Sequence, residues 1–250
     1  ESYGALSERG GGILSTVMAT RAASDDLLLD LAEARIEHLV SGGVTTIEVK
    51  SGYGLELQHE VRLLETIREA DRRNIAELIP TFLGAHSLPV EARRSPEARA
   101  AYVDSVVNDM LPIVAEQKLA RFCDVFIDQG AFTVDEGRRV LEKARSLGLG
   151  LKVHAEQITY TGAADLAAEL GAVSAEHLER VSDEGLRRMA DAGVVAVLLP
   201  GAATILRDDM VDAARLRELY AQHCDDPEMS DGSEPEPSPF VTPEMRRKMG

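Results

Sequence analysis

The stretch Gly150-Leu-Lys-Val-His-Ala-Glu-Gln157 has the pattern of a short strand that ends in polar side chains. Its apolar residues alternate with smaller or polar neighbours, as in a β-strand, and a helical pattern follows at residues 161–170. A histidine at the carboxyl end of a strand, just before the loop that leads to a helix, is typical of the mouth of α/β barrels. The stretch therefore predicts a parallel α/β fold with its chemistry at the carboxyl ends of the strands.

The same arrangement recurs along the chain. Ala172-Val-Ser-Ala-Glu-His177 is a second short strand that ends in histidine. Six strand–helix units are predicted in all, with strands near residues 44, 77, 122, 150, 172 and 194. Such alternation indicates a parallel sheet with helical crossovers. Because a closed barrel needs eight units, the pattern leaves two alternatives open: a barrel that lacks two units and an open doubly wound sheet.

The helices are predicted from capping and spacing. Ser24 is a helix N-cap, and Pro200-Gly201 is expected to end the sixth strand. Residues 89–120 form a longer connection that contains helices. The other predicted helices cover residues 25–40, 57–73, 133–147, 182–193 and 204–223.

Composition narrows the class of protein. The chain has 250 residues and is 44% hydrophobic, which suits one large domain or two small ones. The net charge of −16 disfavours nucleic acid and anionic membranes as partners. The chain has two cysteines and no C-x-x-C motif, which favours a cytoplasmic location.

The two ends differ from the rest. The chain begins with Glu1-Ser-Tyr-Gly4, without a methionine or a signal-peptide pattern, so we expect it to start partway into a longer protein. Residues 225–250 are acidic and rich in proline and serine. We therefore predict a partial barrel over residues 1–224 and a disordered acidic tail over residues 225–250.

Polar residues follow the predicted strands at the point where each strand ends, so in a barrel they converge on one mouth. Two imidazoles with carboxylates suit a zinc or iron ion, which would acidify a water molecule while a carboxylate or second histidine moves the proton. The alternative is that each histidine is a hydrogen-bonded structural residue. The candidates are Lys50, Tyr53, His86, Asp128, Gln129, His154, Glu156, Gln157, His177 and Glu179.

Other conspicuous residues receive no functional role. His38, His59 and His223 fall on predicted helices, and Cys123 lies inside a strand as an inert thiol. The glycines at positions 10–12 are not followed by the Lys-Ser/Thr pair of a phosphate-binding loop.

Several strings resemble imidazolonepropionase, a family of the amidohydrolase superfamily, over residues 3–207. The resemblance implies a metal-dependent (β/α)8 TIM barrel in which the six predicted strands are barrel strands two to seven. It implies hydrolysis of 4-imidazolone-5-propanoate to N-formimidoyl-L-glutamate by a metal-activated water, in histidine degradation. The strings are Glu48-Val-Lys-Ser-Gly-Tyr-Gly-Leu55, Thr81-Phe-Leu-Gly-Ala-His86, Lys152-Val-His-Ala-Glu-Gln157, Ser174-Ala-Glu-His-Leu-Glu179 and Ala196-Val-Leu-Leu-Pro-Gly-Ala202.

The resemblance also assigns roles to residues. His154 matches a ligand of the zinc or iron ion, and His177 matches a histidine that ligates or assists the metal-bound water. Gln157 falls at a catalytic position close to the substrate, and Tyr53 and His86 match substrate-binding residues. The family acts on a small molecule and tends to form homodimers.

The chain departs from the family at the positions that supply most of the family's metal ligands. Neither the His-x-His of the first barrel strand nor the Asp-x-Asn-Pro-Gly of the last occurs here. We therefore expect the chain on its own to be inactive in ring opening. Two alternatives stay open: another cyclic-amide or deaminating amidohydrolase, and a non-catalytic remnant that binds a partner through an open sheet edge or the acidic tail.

Overall fold

The fold is built on one sheet of six parallel strands in which neighbours along the chain are also neighbours in space. The computed structural model describes residues 13–206 and 210–224. A doubly wound sheet would reverse its strand order at a switch point, whereas this order runs in one direction, as in a barrel. The strands are β1 (Thr46–Lys50), β2 (Glu77–Ala85), β3 (Phe122–Ile127), β4 (Gly150–Ala155), β5 (Ser174–His177) and β6 (Val195–Val197).

Helices connect each strand to the next. A 3₁₀ turn at Val90–Arg93 and a π-helical turn at Val106–Met110 lie in the long connection between β2 and β3. The α-helices are α1 (Ile13–Ala22), α2 (Asp25–Ser41), α3 (Leu57–Arg73), α4 (Pro96–Ser105), α5 (Leu111–Glu116), α6 (Val134–Ser146), α7 (Ala163–Glu169), α8 (Asp183–Asp191), α9 (Pro200–Leu206) and α10 (Ala213–Cys224).

Side-chain caps define where several helices begin. Ser24 accepts a hydrogen bond from the Leu27 N–H at the start of α2, as predicted. At α6, Thr133 and Glu136 form a reciprocal capping box. The helices then bury the apolar side of the sheet: Val125, Leu151 and Val153 belong to the core. The alternate side chains of the same strands face the other way, towards the interior that a closed barrel would have.

Three predictions about the last elements need correction or lie outside the described residues. The single helix over residues 204–223 is wrong, because two helices, α9 and α10, occupy this region. Pro200 does not end the sixth strand but begins α9, where its missing N–H costs nothing. Strand β6 is only three residues long and, within the described part of the chain, pairs with β5 alone. The predicted tail at residues 225–250 lies outside the described residues.

Gly137 sets how closely α6 approaches the sheet. A Cβ atom at this position would lie 2.4 Å from Cδ1 and 2.8 Å from Cγ1 of Ile127 on β3. Ile127 is fully buried, so its side chain has little room to move. The glycine therefore allows a contact between helix and strand that any larger residue would separate.

We predict that Gly137→Ala lowers the free energy of unfolding by about 1–3 kcal/mol, because overpacking outweighs the better helix propensity of alanine. Urea unfolding measures the change. Gly201→Ala in α9 is the matched control: no heavy atom lies within 4 Å of the new Cβ, so this variant should be neutral or stabilised by up to about 1 kcal/mol. Equal effects of the two substitutions would contradict the close packing of α6.

Candidate active site

The carboxyl ends of the strands surround an open cleft of about 350 Å³. The structure brings six of the predicted candidates, Lys50 among them, together at its wall, from the ends of four strands. We call the space bordered by these residues the cleft. It is lined by Tyr53, His86, His154, Gln157 and His177, together with Ile13, Lys50, Ser51, Leu83, Phe126, Leu199, Ala202 and Leu206.

Backbone conformations that L-residues seldom adopt are concentrated around this cleft. Leu55, Glu156, His177 and Leu178 have positive φ angles of 50°, 56°, 77° and 70°. Strain of this kind persists only where the surroundings enforce it, and it is frequent at functional sites. At His177 the positive φ angle changes the direction in which the side chain points. The residue pairs in register with Ala155, which faces the helices, yet its ring lines the cleft.

Three imidazoles stand next to one another in the cleft. The ring centroids of His154 and His177 are 5.3 Å apart, and those of His86 and His154 are 6.0 Å apart. Tyr53 meets His86 edge to face, with centroids 5.1 Å apart and an interplanar angle of 87°. The arrangement offers several nitrogen atoms and one phenolic hydroxyl to a small polar ligand.

His86 is held as a neutral imidazole of defined tautomer. Its Nδ1 lies 3.0 Å from the carbonyl oxygen of Gly52. A carbonyl oxygen only accepts, so Nδ1 carries the hydrogen and Nε2 is left as an acceptor. Burial, and then repulsion by His154, lowers the pKa of His86 to about 4.

A network of charged side chains lies beside the cleft on the face of the sheet turned away from the helices. The Lys50 ammonium on β1 donates to Asp124 on β3 at 2.7 Å and to Glu176 on β5 at 2.8 Å. A second lysine, Lys152, donates to Glu48 at 3.0 Å. The network thus joins four strands.

The charges of the network stabilise one another. Burial alone would raise the pKa of Asp124, but His154 and Lys50 outweigh it and hold that pKa below the ordinary value. Likewise burial opposes the charge on Lys50, while Asp124, Glu176 and Glu48 raise its pKa. Asp124 and Lys50 therefore both stay ionised at neutral pH.

The contacts of Lys50 and His154 indicate how well the side chains of this network could bind a metal ion. Donor atoms of Asp124, His154 and Glu176 lie within 4.8 Å of one another. The Lys50 ammonium, however, already contacts both carboxylates, as a bound cation would. Nδ1 of His154 lies 2.9 Å from Asp124 Oδ2. This leaves Nε2 as the atom suited to a metal, with Asp124 orienting the ring.

His177 lies over a second buried carboxylate. Its Nδ1 is 3.7 Å from Oε2 of Glu179, and both atoms are buried without a hydrogen-bond partner among the described residues. Unsatisfied buried polar atoms are costly and call for a ligand, water or proton transfer. His177 therefore has unused hydrogen-bonding capacity next to the ring of His154.

The remaining candidates at the strand ends do not line the cleft. Asp128 accepts hydrogen bonds from the N–H groups of Gln129, Ile158 and Thr159, and so holds the loop after β4. Glu156 accepts from the Gly162 N–H at 2.9 Å, and burial raises its pKa to about 7. These two carboxylates shape loops, whereas the Gln129 side chain is exposed.

The sequence analysis missed Asp124 and Glu176, which lie inside strands rather than at their ends. A signal was present: each is an acidic residue inside a strand, Asp124 among apolar residues and Glu176 between Ala175 and His177. Their partners, however, are distant in sequence, so nothing local indicated that they would pair with Lys50.

Solved structures with a similar fold define the class of protein. An adenine deaminase from Arthrobacter aurescens matches 82% of this chain and 62% of its own length, with a TM-score of 0.57 and 18% identity. An amidohydrolase from a Sargasso Sea environmental sample matches 80% of this chain and 48% of its own, with a TM-score of 0.55 and 16% identity. The fold is therefore part of a TIM barrel, as in these two proteins.

Curated proteins with similar sequences narrow this comparison further. The imidazolonepropionase of Caldanaerobacter subterraneus subsp. tengcongensis is 49% identical over 217 residues, and that of Symbiobacterium thermophilum is 51% identical over 224 residues. The alignments cover 87% and 89% of this chain and 52% of each relative. The chain is thus homologous to imidazolonepropionases and spans about half the length of these curated relatives.

Two further comparisons complete these findings. A scan of protein-family models gave no match. Among the helices of the described residues, none combines the length and the hydrophobicity that crossing a bilayer takes.

We predict that Lys50→Met lowers the free energy of unfolding by about 3–5 kcal/mol, because it removes the ammonium group that contacts the two buried carboxylates of Asp124 and Glu176. Urea denaturation tests this. Arg68→Met is the control: the ion pair between Arg68 and Glu65 is exposed, so its loss should cost less than about 1 kcal/mol. A change at Lys50 as small as that of the control would argue against the network as a structural element.

The depressed pKa of His86 predicts a pH effect. The unfolded chain protonates this histidine near the ordinary value of 6.5, whereas the folded chain stays neutral until about pH 4. The contribution of the neutral His86 ring to the free energy of unfolding is therefore complete above pH 6.5, and it is lost as the pH falls from 6.5 towards 4. NMR titration of the His86 ring should give a midpoint below 5, and a midpoint near 6.5 would refute the burial of this ring.

Proposed function

We propose that the cleft binds 4-imidazolone-5-propanoate and contributes to its hydrolysis to N-formimidoyl-L-glutamate. The observation that carries the proposal is the convergence of His86, His154, His177, Tyr53 and Gln157 on one cleft, in a chain that is homologous to imidazolonepropionases. Deaminases are similar in fold alone, at 18% identity. For this reason the proposal favours ring opening over deamination.

The wall formed by Tyr53 and His86 suits the substrate ring and its side chain. His86 offers an acceptor nitrogen to a ring N–H, because its own hydrogen is bonded to Gly52. Burial raises the pKa of Tyr53, so its hydroxyl stays protonated and can donate to a carbonyl or carboxylate oxygen. The two residues would orient the substrate before reaction.

His177 and Gln157 are proposed to serve the reaction itself. The ring of His177 adjoins that of His154, and its unsatisfied Nδ1 near Glu179 gives it a place to hold a proton. Gln157 presents an amide to the cleft, which can both donate to and accept from the ring that opens. A proton shuttle and a polar anchor are the parts that hydrolysis of a cyclic amide requires.

A zinc or iron ion would supply Lewis acidity and lower the pKa of a water molecule. In the described residues His154 would hold it through Nε2, with the ring oriented by Asp124. One imidazole does not retain such an ion tightly, since zinc sites use three or four protein ligands. That this chain on its own is inactive remains a prediction. The cytoplasmic location and the homodimer are untested predictions as well.

The proposal predicts that the purified chain binds imidazole-4-propanoate, a stable analogue with a similar ring and carboxylate. Tyr53→Phe and His86→Asn should each weaken binding by about tenfold, the effect of losing one hydrogen bond. Titration calorimetry measures the affinities. Glu65→Gln, on the exposed side of α3, should bind as the parent chain does.

Two outcomes would contradict the proposal. Analogue binding that is insensitive to Tyr53 and His86 would place the ligand elsewhere. Absence of binding at millimolar analogue would remove the substrate assignment from this cleft. A ring-opening assay with added zinc or iron is the complement: turnover by the chain alone would support the reaction but overturn the expected inactivity.

A further inference from the structure

Glu60 lies in the first turn of α3 but directs its carboxylate back at the loop that carries Tyr53. The residue is fully buried. Its Oε1 accepts the N–H groups of Gly54 and Leu55, each at 2.8 Å, and its Oε2 accepts the N–H of Gly52 at 2.9 Å. A buried carboxylate is costly unless it is hydrogen-bonded, and here three backbone donors satisfy it.

The carbonyl groups of the same loop are bound from the other side. Nε of Arg21 donates to the Gly54 oxygen at 2.6 Å, and a terminal nitrogen of Arg21 donates to the Leu55 oxygen at 3.2 Å. The carbonyl of Gly52 receives the hydrogen of His86 Nδ1. The loop is therefore fixed by a carboxylate on its amides and by a guanidinium and an imidazole on its carbonyls.

The two glycines of the loop make this arrangement possible. Gly52 has φ of +98°, and a Cβ there would lie 2.8 Å from the Leu83 oxygen and 3.1 Å from Cβ of His86. At Gly54 a Cβ would lie 2.9 Å from Oε1 of Glu60. Both glycines thus let the loop approach the carboxylate and the imidazole closely.

We propose that Glu60 is a positioning residue for the wall of the cleft formed by Tyr53 and His86. By binding the N–H groups of Gly52 and Gly54, Glu60 holds the backbone on both sides of the Gly52–Tyr53 peptide. The carbonyl of that peptide, which is the Gly52 carbonyl, selects the Nδ1–H tautomer of His86. Tyr53, between the bound amides, is held edge to face against the same ring. Glu60 touches neither ring, so it acts through the loop.

The position of Glu60 at the start of a helix would by itself indicate a different role. An acidic residue in the first turn of a helix is ordinarily a surface residue that interacts favourably with the helix dipole. Burial and three bonds outside the helix exclude that explanation for Glu60. Glu65, one turn further along α3, is a matched control, since it is exposed and pairs with Arg68 at 3.4 Å.

The first test uses the parent chain and NMR. Ring ¹⁵N shifts should report His86 as the Nδ1–H tautomer, and the amides of Gly52, Gly54 and Leu55 should exchange with solvent slowly. A ring hydrogen on Nε2, or amides that exchange as fast as those of an unstructured peptide, would overturn the proposal without any variant.

The second test uses substitutions. In Glu60→Gln an NH₂ group replaces one acceptor, so we expect exchange of at least one loop amide to accelerate by about ten- to a hundredfold, the effect of losing a charge-assisted bond. The His86 tautomer should become mixed. Glu60→Asp keeps the charge but is one methylene shorter, so it should give a smaller change and is decisive if Glu60→Gln does not fold.

Glu65→Gln should leave both the amides and the tautomer unchanged. A folded Glu60 variant with parental exchange rates and an unchanged His86 tautomer would reduce Glu60 to a purely structural residue. The importance of this wall for a ligand rests on the proposed function, but these measurements read only the loop and the imidazole. Failure of the analogue to bind would therefore not contradict the positioning role of Glu60. Failure of the Glu60 tests would likewise not contradict the proposed function.

Discussion

The ammonium group of Lys50, held between Asp124 and Glu176, is the interaction on which the arrangement of the site depends. Barrel interiors are ordinarily filled by layers of branched apolar side chains. Here one cation instead joins strands β1, β3 and β5. A shift of any of these strands by a single residue would turn its charged side chain towards the helices. The network therefore fixes strand register, and through Asp124 it also orients His154.

Buried carboxylates also organise the loops around the cleft. Glu60 accepts hydrogen bonds from the amides of the loop after β1, and Asp128 accepts them from the amides of the loop after β4. In both cases backbone N–H groups that have no partner in the sheet find one in a carboxylate. The loops that carry Tyr53 and Gln157 are thus held by the body of the fold, which reduces the entropy lost when a ligand binds.

The chain represents about half the length of its imidazolonepropionase relatives. The order of its strands is that of a barrel segment, and within the described residues β1 and β6 each pair with one neighbour. In a closed barrel, edge strands such as these would be paired on both sides. The wall formed by Tyr53 and His86 lies within this segment. So does a cluster of three possible metal ligands, Asp124, His154 and Glu176, whose carboxylates contact the Lys50 ammonium.

The sequence by itself determined the six strand–helix units, their parallel order and the residues at the strand ends, because periodicity, caps and chain direction are local properties. It placed His177 at the mouth of the barrel but did not predict the left-handed backbone that turns its ring into the cleft. Nor did it predict the pairing of Lys50 with Asp124 and Glu176, which lie 74 and 126 residues away. Only the tertiary structure decided these, because burial brings distant charges into a space where they must pair.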